Sequence, residues 1–269
     1  MLKTRILTAL VIAPIALWGL FYLSAPNFKW FLLVILLVSG WEWANFARFQ
    51  PLGRVVYASV LGALFFVSSD LLALWLGAAM IWWIIALWLI VKYPVQSARW
   101  QRPDVIGLIG IVTLIPCGLS LLWLKAQSDA ATLVLLLFIL IWAADIGAYF
   151  VGRRFGQKKL LPNVSPGKSV EGLAGGLVIA VIAGFGTLQM MPPVDGRGLG
   201  QGGWLLLFVG IGLISVLGDL TLSMFKRSRG IKDSSQLLPG HGGFLDRLDS
   251  LFSAAPVYCG VLYLTDSLV

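Results

Sequence analysis

Residues Ser223 to Asp249 read SMFKRSRGIKDSSQLLPGHGGFLDRLD, and apolar runs long enough to cross a bilayer flank them on both sides. A basic loop between two membrane spans is ordinarily a solvated anchor. Three features set this one apart. Acidic residues alternate with the basic ones, where an anchor needs only positive charge. Gly240-His241-Gly242-Gly243 offers backbone N–H groups with almost no side chains in the way. Asp219, Asp246 and Asp249 lie at or inside the ends of apolar segments, where a carboxylate is costly and usually functional.

The surrounding composition decides the fold class. Of 269 residues, 59% are hydrophobic and only 12% charged, and the mean hydropathy is +0.90. Soluble domains carry roughly a quarter charged residues. Apolar runs near the roughly 20 residues needed to span hydrocarbon recur from end to end, whereas a membrane β-barrel would show short alternating segments. The reading is an all-α, polytopic integral membrane protein with about nine transmembrane helices, at 5–23, 28–46, 55–69, 71–91, 105–124, 130–150, 170–191, 203–225 and 245–268. The third and fourth meet at Ser68-Ser69-Asp70 with almost no loop. With nine spans, 17 of the 20 Lys and Arg residues fall on the side of the N-terminus, leaving Lys29, Lys125 and Arg197 on the other. The positive-inside rule then puts the N-terminus and the long basic loops in the cytoplasm, which makes this an inner-membrane protein.

The net charge of +8 is therefore a surface facing anionic lipid heads and an anionic substrate. No run interleaves aromatic and basic residues as a nucleic-acid groove would, so no nucleic-acid partner is expected. Cys117 and Cys259 fall within separate spans and read as buried apolar residues, with no disulfide or metal spacing. Lys92–Asp104 is a polar link that divides the chain into an N-terminal scaffold and oligomer half, 1–100, and a catalytic half, 101–269. In the first half Glu42, within WEWANF, is expected to pair with Arg48. Trp82 and Trp83 are mid-span and expected to pack inside.

In the second half, polarity enters the spans. Asp145 lies just over one turn from the end of its span and shares a face with Tyr149. Ser165-Pro166-Gly167-Lys168-Ser169 leads into the next span, with Ser169 as its N-cap. A helix N-terminus beside a Lys and a Ser is a ready phosphate site; the glycine spacing does not make a Walker A loop. Ser215, Asp219 and Ser223 are four apart and form one polar stripe, which must face protein or water. Asp246 and Asp249, three apart at the start of the last span, are expected to share a face.

Carboxylates grouped at a membrane surface without a histidine or cysteine cluster suit a hard, oxygen-liking cation, Mg²⁺ above all, alone or with a second cation. An Mg²⁺ held by one or two carboxylates and by substrate phosphates is how nucleotidyl-transfer sites are built. Metal ligation is assigned to Asp219, Asp246 and Asp249, with Asp145 beside them.

These residues carry a resemblance. Ser223-x-Phe225-Lys226-Arg227, Lys232-Asp233, Pro239-x-His241-Gly242-Gly243 and Asp246-Arg247-x-Asp249 resemble the signature of the phosphatidate cytidylyltransferase (CDP-diacylglycerol synthase) family. Asp145-Ile146-Gly147-Ala148-Tyr149 and Ser165-Pro166-x-Lys168-Ser169 are similar to that family as well, so the likeness covers about residues 140–255. It implies that CTP and phosphatidic acid give CDP-diacylglycerol and pyrophosphate, with bilayer lipids around a homodimer. It places catalysis on Asp219, Asp246, Lys226, Arg227 and Asp145. Substrate binding falls to Lys168, Ser169, Ser223, Lys232, Asp233, His241, Gly242, Gly243 and Arg247. Rival readings are a CTP-using polyprenol kinase, a transporter with a proton relay through Asp145 and Asp219, and a structural subunit. The acids' place near one membrane face argues against the transporter, and the buried carboxylates against the structural subunit.

Overall fold

A computed structural model describes residues 2–95, 97–191 and 199–266. Arg197, assigned above to the far side, lies outside the described residues. The helices are α1 (Leu2–Tyr22), α2 (Ala25–Phe46), α3 (Pro51–Val67), α4 (Leu72–Lys92), the single turn α5 (Ser97–Trp100), α6 (Pro103–Lys125), α7 (Ala130–Phe155), α8 (Val170–Met190), α9 (Gln201–Arg229) and α10 (Asp249–Asp266). Single 3₁₀ turns cover Ser69–Leu71, between α3 and α4, and Leu245–Arg247, before α10.

Among the described residues five segments are long and apolar enough to cross a membrane: Ser69–Lys92, Pro103–Lys125, Ala130–Phe155, Val170–Met190 and Gln201–Arg229. The chain is thus a multi-pass α-helical membrane protein. Among the described residues one element departs from an all-helical chain. The antiparallel strands β1 (Lys159–Leu161) and β2 (Ser165–Ser169) form a hairpin between α7 and α8.

The core sits around α6, which packs against α2, α3, α4, α7 and α10. Small residues let those neighbours close in. A methyl group at Gly110 would overlap Tyr57 and Trp43. Their polar ends then reach α6 carbonyls: Trp43 Nε1 donates to Ile106 O at 2.8 Å and Tyr57 Oη to Gly107 O at 2.7 Å. Trp82 and Trp83 are buried, as their mid-span positions predict, and so are Cys117 and Cys259.

The helices α7 and α8 approach most closely, along a stripe of small residues. In lipid, where apolar side chains gain nothing by leaving one neighbour for another, backbone proximity through Gly and Ala is what holds helices together. A Cβ added at Gly176 would lie 2.5 Å from Ala144 O, and one at Gly172 2.9 Å from Ala148 O. These are backbone atoms, which cannot swing aside. Gly186, further along α8, has nothing within 4 Å. Gly176→Val is therefore expected to destabilise the folded protein by about 1–3 kcal/mol, the usual scale of overpacking. Gly186→Ala should leave it unchanged. Thermal melts of the two variants in detergent check this, and equal midpoints would refute the close-packing account.

Candidate active site

The site lies at the end of the bundle where α2, α7 and α9 finish and α8 and α10 begin. Helix α9 has 29 residues, about 43 Å at 1.5 Å per residue. Hydrocarbon is only about 30 Å thick, so the last turns, with Lys226, Arg227 and Arg229, are free to project from it. The helix stops at Gly230, whose φ of +73° only glycine adopts without strain. Gly230 N donates to Arg227 O and Ile231 N to Lys226 O, the paired bonds of a Schellman end. The chain turns back here, and the loop 231–244 folds over the end of α9.

Asp246 organises that loop. Its Oδ1 takes the Lys226 ammonium at 2.7 Å, and its Oδ2 accepts from Ser234 N and Gly243 N, both at 2.9 Å. Burial pushes the carboxyl up, but the hydrogen bond and charge of Lys226, with those backbone N–H groups, hold it below the usual carboxylate range. Asp246 sits on the 3₁₀ turn and Asp249 opens α10, so the two do not share a helix face as the spacing predicts.

Asp219 is the centre of a second cluster. Its Oδ2 is 2.6 Å from Lys168 Nζ and its Oδ1 accepts from Ser223 Oγ at 3.2 Å. Lys168 comes from β2, so the hairpin delivers a cation to α9. Arg227 ties the two elements together by donating to Val164 O at 3.4 Å. Ser169 ends the strand and caps α8, accepting from Gly172 N at 3.1 Å as the sequence predicts.

Asp145, Tyr149, Arg153, Lys168, Ser169 and Asp219 line a pocket of about 320 Å³. Asp249 lies close enough to interact electrostatically with Asp219, Asp145 and Lys226. Lys226 acts on Asp219 as well as Asp246, so it links the two clusters. Among the described residues no three acid, histidine or cysteine side chains are grouped to hold a metal by themselves.

The remaining expected site residues lie around this centre. Lys232, Asp233, Arg227 and Arg247 are exposed. Arg247 turns back to donate to His241 O at 2.9 Å. His241 Nδ1 is buried and has no hydrogen-bond partner among the described residues. Gly242, at φ +81°, closes a turn against the Asp233 side chain, and a methyl at Gly243 would overlap Ser234 Oγ.

Sequence reasoning misplaced Glu42. It does not pair with Arg48, which is exposed and at φ +58°. Glu42 is fully buried and reaches the loop 231–244 instead. The signal that could have pointed to it is its company: Trp43 and Phe46 stack around Phe225 of the signature, at 5.4 and 6.2 Å between ring centroids.

Comparison with known proteins extends the likeness beyond residues 140–255. The profile of the cytidylyltransferase family matches residues 3–265. A phosphatidate cytidylyltransferase from Pseudomonas aeruginosa is 43% identical, over 98% of this chain and 97% of that protein. One from Haemophilus influenzae is 41% identical over 96% and 97%, and one from Staphylococcus saprophyticus 33% identical over 95% and 97%. The apolar first hundred residues, which carry no signature of their own, are covered with the rest, and the chain belongs to the cytidylyltransferase family.

Proposed function

We propose that this chain transfers the cytidylyl group of CTP to phosphatidic acid, giving CDP-diacylglycerol and pyrophosphate. One observation carries the choice of a lipid acceptor. The charged pocket opens beside an apolar groove of about 550 Å³, and both share Leu160, Leu173 and Val216 as walls. The groove continues along Gly210, Leu213 and Leu217 of α9. A molecule with an anionic head and apolar tails fits the pair, with its phosphate near Lys168 and its chains along α9. Relatives named for phosphatidate support the same reading.

In the reaction a phosphatidate oxygen forms a bond to the α-phosphorus of CTP as the bond from that phosphorus to the pyrophosphate oxygen breaks. The lipid phosphate is already an anion near neutral pH, so no strong base is needed. The protein has to bring two anions together and stabilise charge on the leaving group. Lys168 and Arg153 face the pocket and serve the phosphates, with Lys226 behind them. Arg227, Lys232 and Arg247 form an exposed basic rim that draws anions in. His241, Gly242 and Gly243 shape the nucleotide side, where the unpartnered Nδ1 is available to CTP.

The donors suit Mg²⁺, since every one of them is a carboxylate oxygen and no soft ligand is near. The absence of a three-acid group agrees with an ion that takes one or two carboxylates and fills its shell with water and phosphates. Asp219 and Asp249 would hold it, with Asp145 beside them; Asp246, whose Oδ2 is taken by two backbone N–H groups of the loop, is assigned to the loop. The ion would supply charge neutralisation at the phosphates.

The membrane placement follows the charge pattern. The nine helices of 17 residues or more are assigned one crossing each, in the inner membrane, with the N-terminus and the site in the cytoplasm. The active form is a homodimer, and the positive surface serves lipid heads rather than nucleic acid.

With purified protein, phosphatidic acid and Mg²⁺, label from [α-³²P]CTP is expected in the lipid and label from [γ-³²P]CTP in pyrophosphate; γ-label in the lipid would make the protein a kinase. Asp219→Asn is expected to lower kcat by about 10²-fold or more at normal membrane abundance, and near-normal turnover would remove Asp219 from the site. Gly210→Leu adds bulk where nothing stands within 4 Å. It is expected to raise KM for a dioleoyl substrate about tenfold, the effect of roughly two methylenes displaced from apolar contact. A dihexanoyl substrate should be spared, and equal changes for both would rule out the groove.

A further inference from the structure

Glu42 belongs to no signature and lies on α2, about two hundred positions before the loop it touches. Its side chain is 0% exposed, and no ion pair among the described residues reaches it. It is held by four donors from one loop. Oε1 accepts from Ser235 Oγ and from Phe244 N at 2.8 Å. Oε2 accepts from Ser234 Oγ at 3.0 Å and from Leu245 N at 2.7 Å. Both ends of the stretch 234–245 are thus tied to one carboxylate. Three residues on, Asn45 Nδ2 donates to Ser234 O at 3.1 Å, and its carbonyl takes Arg229 Nε, also at 3.1 Å.

The tie leads straight to Asp246. The Ser234 hydroxyl lies 3.0 Å from Glu42 Oε2 and 3.1 Å from Asp246 Oδ2, so its single proton serves one carboxylate at a time. Ser234 N and Gly243 N, next to Glu42's partners on either side, donate to Asp246. Asp246 in turn holds Lys226. Gly243 has no room for a side chain because Ser234, Ser235 and Glu42 close around it. A buried acid is costly, and an apolar residue here would pack a membrane bundle more cheaply. What an acid provides is four fixed acceptor directions.

We infer that Glu42 is a positioning residue for the reaction: it fixes the loop 234–245 so that Asp246 and Lys226 stand in working order beside the pocket. The inference rests on the cytidylyltransferase reading for its kinetics but not for its structural readout. Glu42→Gln is the discriminating variant. Whichever way the amide turns, its NH₂ faces either Phe244 N or Leu245 N. A hydroxyl can rotate away from a donor; a backbone N–H cannot, and it is left unpaired inside the protein.

The expected results with full-length protein in detergent are these. Glu42→Gln lowers kcat about tenfold, the effect of one buried unpaired donor, with KM for phosphatidic acid within about twofold of wild type, since the pocket's Lys168 and Asp219 are untouched. Tryptic cleavage after Lys232 speeds up at a temperature where the bundle is still folded by circular dichroism. Ser235→Ala lowers kcat by a smaller factor, and combined with Glu42→Gln it costs less than the product of the two, because both act through one contact. If Glu42→Gln yields no folded protein, Ser235→Ala alone decides by the same cleavage assay. Wild-type kcat with unchanged cleavage after Lys232, or a loss of activity that only tracks the loss of folded protein, would overturn the inference. A wild-type protein without cytidylyl transfer would refute the function reading instead, and the cleavage result would still test Glu42.

Discussion

Two ammonium groups, Lys168 on Asp219 at 2.6 Å and Lys226 on Asp246 at 2.7 Å, decide how this end of the bundle can exist. A carboxylate at a membrane surface with no counter-charge or donor would be neutral or would unfold its helix end. Each lysine is brought by a different device. Lys226 is carried on the last turns of a helix longer than the hydrocarbon is thick. Lys168 is carried on a hairpin that stands between two spans and leans on α9 through Arg227. Remove either cation and the aspartate it faces loses its nearest counter-charge.

The glycine stripe between α7 and α8 serves the same end. Gly172 and Gly176 let α8 lie against the carbonyls of Ala148 and Ala144. That closeness sets Asp145 of α7 opposite Lys168, two residues before the start of α8, and across the pocket from Asp219. Bulkier packing would widen the gap between the acids and weaken the hold on a cation proposed for them.

Much of this was legible in the sequence because it is local. The five long apolar helices follow from hydropathy, the Ser169 cap from residue type, and the signature from the order of its residues. The hairpin was not legible, since Ser165-Pro166-Gly167 has poor strand propensity and becomes a strand only by pairing Lys159 with Ser169 and Leu161 with Ser165. Asp246 was misread as part of a helix face: its carboxylate is bonded to the N–H groups of Ser234 and Gly243 from the preceding loop, which keeps it on a separate turn before α10 begins at Asp249. Glu42 was misread for a related reason. With Arg48 six residues on, the nearest partner looked sufficient, whereas the real partners lie about two hundred residues away and are neutral backbone and hydroxyl donors that carry no charge signal.

Charge balance ties the two clusters to the chemistry. Asp145, Asp219, Asp246 and Asp249 are four carboxyl groups, and Lys168 and Lys226 face them with two ammonium groups. Arg153 at the pocket wall adds a guanidinium. The interior therefore keeps an excess of acid, while the exposed rim of Arg227, Lys232 and Arg247 is basic. A bare polyphosphate drawn in by the rim would meet repulsion at the centre. A polyphosphate that arrives with a divalent cation would not, because the cation answers the surplus acid and the lysines are left for the phosphate oxygens. In the proposed reaction this arrangement would favour a nucleotide–metal complex over the free nucleotide, through groups set on three helices, a 3₁₀ turn and a hairpin rather than through any one residue.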